Sequence, residues 1–252
     1  MTSILSIFEQ KYVFLALYAL MGYLVGVCLK ILSVYVTHQI EQALAVTSKN
    51  ELASTQAGPL GYPTVKLLPR LEPLLPIVMA GLAIMLGAFT PFDEAVLWFV
   101  FVALCLLMAA IDARTGILPN LINLPLIAIG LAWQVGFKGG MQILGIVAQA
   151  EYVWAMGLGY GVPILLAWLY GKVRHITPMG QGDAKMLAGL GAWLGLNGLA
   201  GAVVVASLAA SFWVLTQMWR GQHQTNQAIP FGPFLALGGL TVVLWSISYQ
   251  HA

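Results

Sequence analysis

Long apolar runs alternate with short polar breaks along this chain, and the length of the runs decides how they are read. About 20 apolar residues are needed for a helix to cross a hydrocarbon layer of about 30 Å. Runs of that kind lie near 13 to 36, 73 to 89, 95 to 113, 117 to 136, 152 to 170, 199 to 217 and 231 to 249. They predict membrane-spanning helices, since a helix satisfies its own backbone where no water can do so. A shorter run, 184 to 196, predicts an eighth helix, fused with the next one if Asn197 and Gly198 do not make a turn. The expected fold class is therefore all-α, a polytopic transmembrane helix bundle of seven or eight spans. The first run exceeds the roughly 7 to 15 apolar residues of a signal peptide and lacks a small-residue cleavage site, so it is expected to stay as an anchor. The organisation expected is a first transmembrane helix over 1–36, a polar loop over 37–72 and a membrane-embedded domain over 73–252.

Composition agrees with this pattern. Of 252 residues, 60% are hydrophobic and 8% charged, where a soluble domain carries roughly 25% charged residues; the mean hydropathy is +0.87. A net charge of +2 makes no case for a nucleic-acid partner, and the lipid bilayer is the partner expected throughout. Cys28 and Cys105 sit inside apolar runs without Cys or His at ligand spacing, so both read as small buried hydrophobes and no metal site is expected. Cations instead report orientation. With the N-terminus outside and eight spans, Lys30, Lys49, Lys66, Arg70, Arg114, Lys172, Arg174, Lys185 and Arg220 fall inside, leaving Lys11 and Lys138 outside.

Carboxylates in such a chain need a reason, because an ionisable group at the centre of a membrane helix costs about 2.5 to 3.5 kcal/mol on insertion scales. Asp93 and Glu94 fall in a short outer turn, and Glu9, Glu41, Glu51 and Glu151 read as loop or helix-end charges. Asp112 is different: it closes the run Ala109-Ala-Ile-Asp-Ala-Arg-Thr-Gly-Ile-Leu-Pro-Asn120, where a helix meets the headgroups. Asp183 stands in Pro178-Met-Gly-Gln-Gly-Asp-Ala-Lys185, where Gly180 and Gly182 permit close backbone approach. Taken singly, Asp112 reads equally as an interfacial charge beside Arg114, and Asp183 as a helix N-cap. Taken together, both lie at the inner face. Two carboxylates at one depth can share a proton, one taking a proton from water while the other donates to a carbonyl oxygen. That is the chemistry of an aspartyl protease.

The segment Ile111-Asp-Ala-Arg-Thr-Gly-Ile-Leu-Pro119, with Gly180-Gln-Gly-Asp-Ala-Lys185 and the following Gly191-Ala-Trp-Leu-Gly195, resembles the bacterial type IV prepilin peptidases, intramembrane aspartyl proteases of the Gly-x-Gly-Asp type. Ile229-Pro-Phe-Gly-Pro-Phe-Leu-Ala236 looks like the start of that family's last helix, and the resemblance covers roughly residues 70 to 249. It implies an aspartic endopeptidase that removes the basic leader of a type IV prepilin or type II secretion pseudopilin at the cytosolic face of the bacterial inner membrane. Asp112 and Asp183 are then the catalytic pair, with Gly180 and Gly182 shaping the active-site loop. Lys185 either acts electrostatically on Asp183 or anchors the helix. Proteolysis of this kind takes no cofactor and no metal. Many members also methylate the new N-terminus with S-adenosylmethionine, and here the N-terminal region departs from the pattern. This chain has Gly26-Val-Cys-Leu-Lys30 where many relatives have Gly-Ser-Phe-Leu-Asn, and the loop over 37–72 lacks their two Cys-x-x-Cys pairs. Glu72 aligns loosely with a Glu found after that loop.

Two other classes compete. An ion-coupled transporter would hold its carboxylates near the midplane with repeat symmetry, whereas these two lie at one face and no internal repeat is visible. A non-catalytic pilus or secretion assembly protein would have no chemical need for both Asp motifs. His38 and His175 read as interfacial side chains. Gly157, Gly159 and Gly161 predict close packing of the fifth helix.

Overall fold

A computed structural model describes residues 2–54, 74–137, 143–174, 181–220 and 229–250. The described residues are helical apart from short connections. In chain order the helices are α1 (Thr2–Ser54), α2 (Leu75–Phe89), α3 (Phe92–Thr115), α4 (Asn120–Leu131), α5 (Ile143–Arg174), α6 (Gln181–Trp219) and α7 (Gly232–Gln250). α4 runs on as a π-helical turn over Ala132–Phe137. Five helical stretches are long and apolar enough to cross a membrane, Tyr12–Ala43, Phe92–Thr115, Ala150–Lys172, Gln181–Trp219 and Gly232–Tyr249, with Leu75–Phe89 and Asn120–Gln134 shorter. The chain is a multi-pass membrane protein.

Two compact units divide the molecule. One comprises α1, α2, α3 as far as Ala103 and α7 from Trp245; the other comprises α3 from Leu104, α4, α5, α6 and α7 as far as Leu244. In the first, small residues let α1 and α2 approach closely. A Cβ at Gly22 would lie 2.6 Å from the Met79 carbonyl oxygen, and one at Gly26 would lie 2.5 Å from the Pro76 Cα. Gly22 and Gly26 thus form the Gly-x-x-x-Gly face that apolar helices use where no hydrophobic driving force separates protein from lipid. α2 stops where Thr90 Oγ1 donates to the Leu86 carbonyl at 2.6 Å, and Pro91 then forbids continuation. α3 restarts at once with Asp93 and Glu94 in its first turn, where negative charge suits the helix dipole.

The second unit holds the polar chemistry. α4 and the start of α6 lie side by side and parallel, Leu118 at Gly182, Leu126 at Gly189 and Gly130 at Trp193. Trp193 Nε1 donates to the Leu126 carbonyl at 2.7 Å, and Gln134 Nε2 donates to the Trp193 carbonyl at 2.8 Å. These two bonds fix the register of the two helices with side chains that are otherwise expensive to bury. α5 packs on another face of α6, with Gly159 against the Leu187 carbonyl and Gly191 against that of Ala155.

Several expectations are corrected here. The first helix does not end near residue 36 but runs to Ser54, so part of the polar 37–72 stretch is helical. The break between the short run and its successor lies at Gly195, not at Asn197 and Gly198. Gly195 has φ 69° and ψ −174°, a backbone shape that glycine alone takes readily, and it divides α6 into two arms. The second arm runs antiparallel to α7, with Gly198 and Gly201 at Val242 and Gly238 at Ala202. Glu151 is no loop charge: it lies within α5, and its Oε1 accepts the Leu196 N–H at 3.0 Å. A side chain from another helix thereby caps the first free donor of the second arm, which has lost its intrahelical acceptor at the break. Of Gly157, Gly159 and Gly161 only Gly159 meets a neighbour; Cβ atoms at Gly157 and Gly161 would meet nothing within 4 Å. Cys105 is buried as expected, while Cys28 is exposed.

Candidate functional site

Asp112 is placed by the way α3 ends. Gly116 takes φ 63°, and its N–H donates to the Asp112 carbonyl at 2.8 Å, the bond of a helix closed by a left-handed residue. Thr115 Oγ1 donates to the Ile111 carbonyl at 2.9 Å and accepts the Ile117 N–H at 3.2 Å. Leu118 precedes proline and is thereby held out of the helical region. Pro119, extended at φ −71° and ψ 136°, then opens α4. The Gly116-Ile-Leu-Pro119 segment is thus a turn that glycine and proline specify between them, with Asp112 one turn before it.

The Asp112 side chain is 3% exposed, and its Oδ2 accepts the Gly232 N–H at 2.8 Å. Gly232 opens α7 with the Phe231 carbonyl accepting from Phe234 and Leu235, each at 3.1 Å. Its N–H is one of the four donors that a helix leaves unpaired at its start. Asp112 therefore caps α7 from a distant point of the sequence, and the positive end of that helix faces its charge. A Cβ at residue 232 would lie 2.7 Å from Asp112 Oδ2, so this approach needs glycine. The sequence reading marked 229–236 as the start of the last helix and did not single out Gly232. The signal available was Gly232 itself, set between Phe231 and Pro233 at a helix start.

Asp183 lies in the first turn of α6 and is half-buried. Asp183 follows directly on Gly182, which packs against Leu118 in the turn after Asp112. The structure thus brings together the two carboxyls that the motifs singled out, at the end of α3 and the starts of α6 and α7. Gly182 lies against Leu118, where a Cβ would come 2.8 Å from the leucine Cβ, so glycine here lets α6 begin close beside the turn after Asp112. Gly180 lies outside the described residues, as do Glu72 and His175. Lys185 Nζ donates to Asn120 Oδ1 at 2.7 Å, which ties α6 to the first residue of α4. No group of three or more His, Cys, Asp or Glu that could hold a metal ion occurs among the described residues.

Comparison with known proteins gives the pair a context. The model of the type IV leader peptidase family matches residues 99–215. A prepilin leader peptidase/N-methyltransferase of Burkholderia pseudomallei is 34% identical over 181 residues, 70% of this chain and 55% of the relative. One of Escherichia coli K12 is 34% identical over 169 residues, 67% and 71% of the two chains. The leader peptidase HopD of Escherichia coli is 34% identical over 152 residues, 59% of this chain and 94% of the relative. This chain belongs to the type IV leader peptidase family. No solved structure matches it. The family match contains Asp112, Asp183, Gly182 and Lys185 and ends before Gly232. The chain spans little more than half the length of the first of these leader peptidase relatives.

Proposed function

We propose that this protein is an aspartic endopeptidase that removes the leader peptide of type IV prepilins or type II secretion pseudopilins, with Asp112 and Asp183 as its catalytic pair. The observation that carries the reading is the juxtaposition of the two carboxyls, one buried and oriented by Gly232, the other at the start of α6 beside Gly182. In the proposed reaction one ionised carboxylate takes a proton from water while the water oxygen attacks the scissile carbonyl carbon. The other, protonated, carboxyl gives its proton to the carbonyl oxygen. Collapse of the resulting diol breaks the C–N bond as the first carboxyl returns its proton to the leaving amine and the second carboxylate takes back a proton from a diol hydroxyl. Oδ2 of Asp112 is occupied by the Gly232 N–H, which leaves Oδ1 to meet water or substrate. The two carboxyls titrate as one coupled unit in this scheme.

The bias of nine inner to two outer cations supports placing the pair at the cytosolic face of the bacterial inner membrane. Gly182 lets the start of α6 lie beside the turn after Asp112, and Lys185 ties α6 to α4. The names of the relatives also carry an N-methyltransferase. S-adenosylmethionine would be the methyl donor of such a step, and the proposal is confined to proteolysis.

The test is cleavage of a prepilin by membranes carrying the native chain, Asp112→Asn or Asp183→Asn, with mass spectrometry of the new N-terminus. Loss of the leader with the native chain alone supports the assignment. Substantial cleavage by either variant refutes it.

A further inference from the structure

α6 is interrupted at one residue, Gly195, and peptide groups on both sides of the break are held by side chains of other helices. Glu151 Oε1, on α5, accepts the Leu196 N–H at 3.0 Å. Gln134 Nε2, in the π-helical turn after α4, donates to the Trp193 carbonyl at 2.8 Å. An interrupted helix runs short of donors before the break and of acceptors after it, and each side is answered from a different segment. Gln134 is 4% exposed, so its bond is shielded from water. The Glu151 bond is charge-assisted and stands at the positive end of the second arm. A Cβ at residue 195 would lie 2.9 Å from Glu151 Oε1, so the glycine that makes the break also makes room for the carboxylate.

The two arms carry different halves of the candidate site. Asp183 stands in the first turn of the first arm, which α4 and α5 grip through Gly189, Gly191 and the Trp193 indole. The second arm packs antiparallel on α7, Ala202 against Gly238, and α7 begins with the N–H that orients Asp112. Gly232 is six residues before Gly238, level with a point six residues past Ala202 and about 18 Å along the second arm from Leu196. Asp183 is likewise about 18 Å along the first arm from Gly195. At that length each degree of rotation between the arms moves one end against the other by about 0.3 Å. Three degrees give about 1 Å, enough to spoil a catalytic alignment.

We infer that Glu151 and Gln134 are positioning residues for the proposed reaction, clamping the break at Gly195 so that the angle between the two arms holds Asp112 in place relative to Asp183. The inference rests on the proposed peptidase function. Neither side chain touches the reacting atoms. Without Glu151 the Leu196 N–H finds a partner only by tilting the second arm or by admitting water, and either loosens the joint. Without Gln134 the Trp193 carbonyl is left buried and short of a donor, with the same result from the other side.

The experiment reads geometry and rate separately. Pulsed electron paramagnetic resonance measures the distance between spin labels at Gln181 and Trp219, exposed residues at the far ends of the two arms, in a full-length Cys28→Ala chain in detergent. Glu151→Ala and Gln134→Leu are each expected to shift or broaden that distance by about 2 Å or more. In unlabelled chains, assayed below the onset of unfolding, each is expected to lower kcat for prepilin cleavage at least about tenfold with KM within about twofold. Glu151→Gln, whose amide oxygen still accepts, is expected to restore the native distance and to stay within about threefold of native kcat. The double variant is expected to lose less than the product of the single losses, because both act through one angle. Thr90→Val removes a helix-end hydrogen bond in the other unit and is expected to keep the native distance and kcat, which separates a loosened joint from a general loss of stability. An unchanged distance in Glu151→Ala overturns the inference, as does a shifted distance with native kcat, or a Glu151→Gln chain as slow as Glu151→Ala. Those results, with a native chain that cleaves and an Asp112→Asn chain that does not, defeat the inference alone. Cleavage by Asp112→Asn defeats the catalytic assignment itself, and the positioning role with it, whatever the Glu151 variants do.

Discussion

Gly232 donates its N–H to Asp112 Oδ2 at 2.8 Å, and a Cβ at that glycine would lie 2.7 Å from the same oxygen. One residue thus provides both a donor to the carboxyl and the space that the carboxyl occupies. Gly232→Ala is expected to push Asp112 from its position and to lower kcat/KM for prepilin cleavage by at least about a hundredfold, the scale of a misplacement near 1 Å. Kinetics on a purified variant that keeps the native helix content check this. Retention of more than a tenth of the activity contradicts it.

Asp112→Asn and Asp183→Asn each keep the shape of the side chain and remove its acid–base function. Each is expected to reduce cleavage by at least about a thousandfold without changing the yield of folded protein in the membrane. Reagents that modify serine or cysteine are expected to leave the rate unchanged, because the proposed reaction uses no covalent intermediate; Cys105, moreover, is fully buried.

Lys185 holds Asn120 rather than a carboxylate, and the bond is exposed to solvent. Lys185→Gln, which can still donate to Asn120, is expected to stay within about threefold of native activity, since one exposed hydrogen bond contributes little. A loss of a hundredfold in kcat with KM unchanged assigns Lys185 to the chemistry instead.

Glu151 caps the second arm of α6 at Leu196. Glu151→Ala is expected to destabilise the protein by about 0.5 to 2 kcal/mol, the range for a lost helix cap, with Glu151→Gln milder because an amide oxygen still accepts. Thermal unfolding in detergent measures both. Equal stability of all three chains excludes the cap.

Gly191 lies against the Ala155 carbonyl, which is backbone and cannot swing away. Gly191→Val is expected to part α5 from α6 and to cost about 1 to 3 kcal/mol or more, as overpacking does. Gly157→Val, at a position with nothing within 4 Å, serves as the comparison and is expected to be nearly neutral.

Much of this was open to a reader of the chain. Apolar length marks the helices because lipid imposes a single threshold on all of them, and the membrane cost of charge singles out Asp112 and Asp183. The turn after Asp112 is written in Gly116 and Pro119. What stayed hidden depends on contacts between distant segments. Gly195 was passed over as the breakpoint because Asn197-Gly198 is the stronger local turn signal, and the free donor left at Leu196 is answered only by Glu151 on another helix. The extension of α1 to Ser54 is hidden because apolar length marks only where the run ends, whereas the polar residues after Thr37, with no breaker before Gly58, let the helix continue.

The chemistry assembled here stands on the ends of helices: Asp112 in the last turn of α3, Asp183 in the first turn of α6, Gly232 at the start of α7. Each residue of sliding along a helix axis displaces its end by about 1.5 Å, and apolar helices adjust tilt and depth to the thickness of the surrounding lipid. The carboxyl pair is therefore a gauge of how three rods are seated lengthwise. Acyl-chain length is therefore expected to act on the proposed reaction through the alignment of these three helix ends.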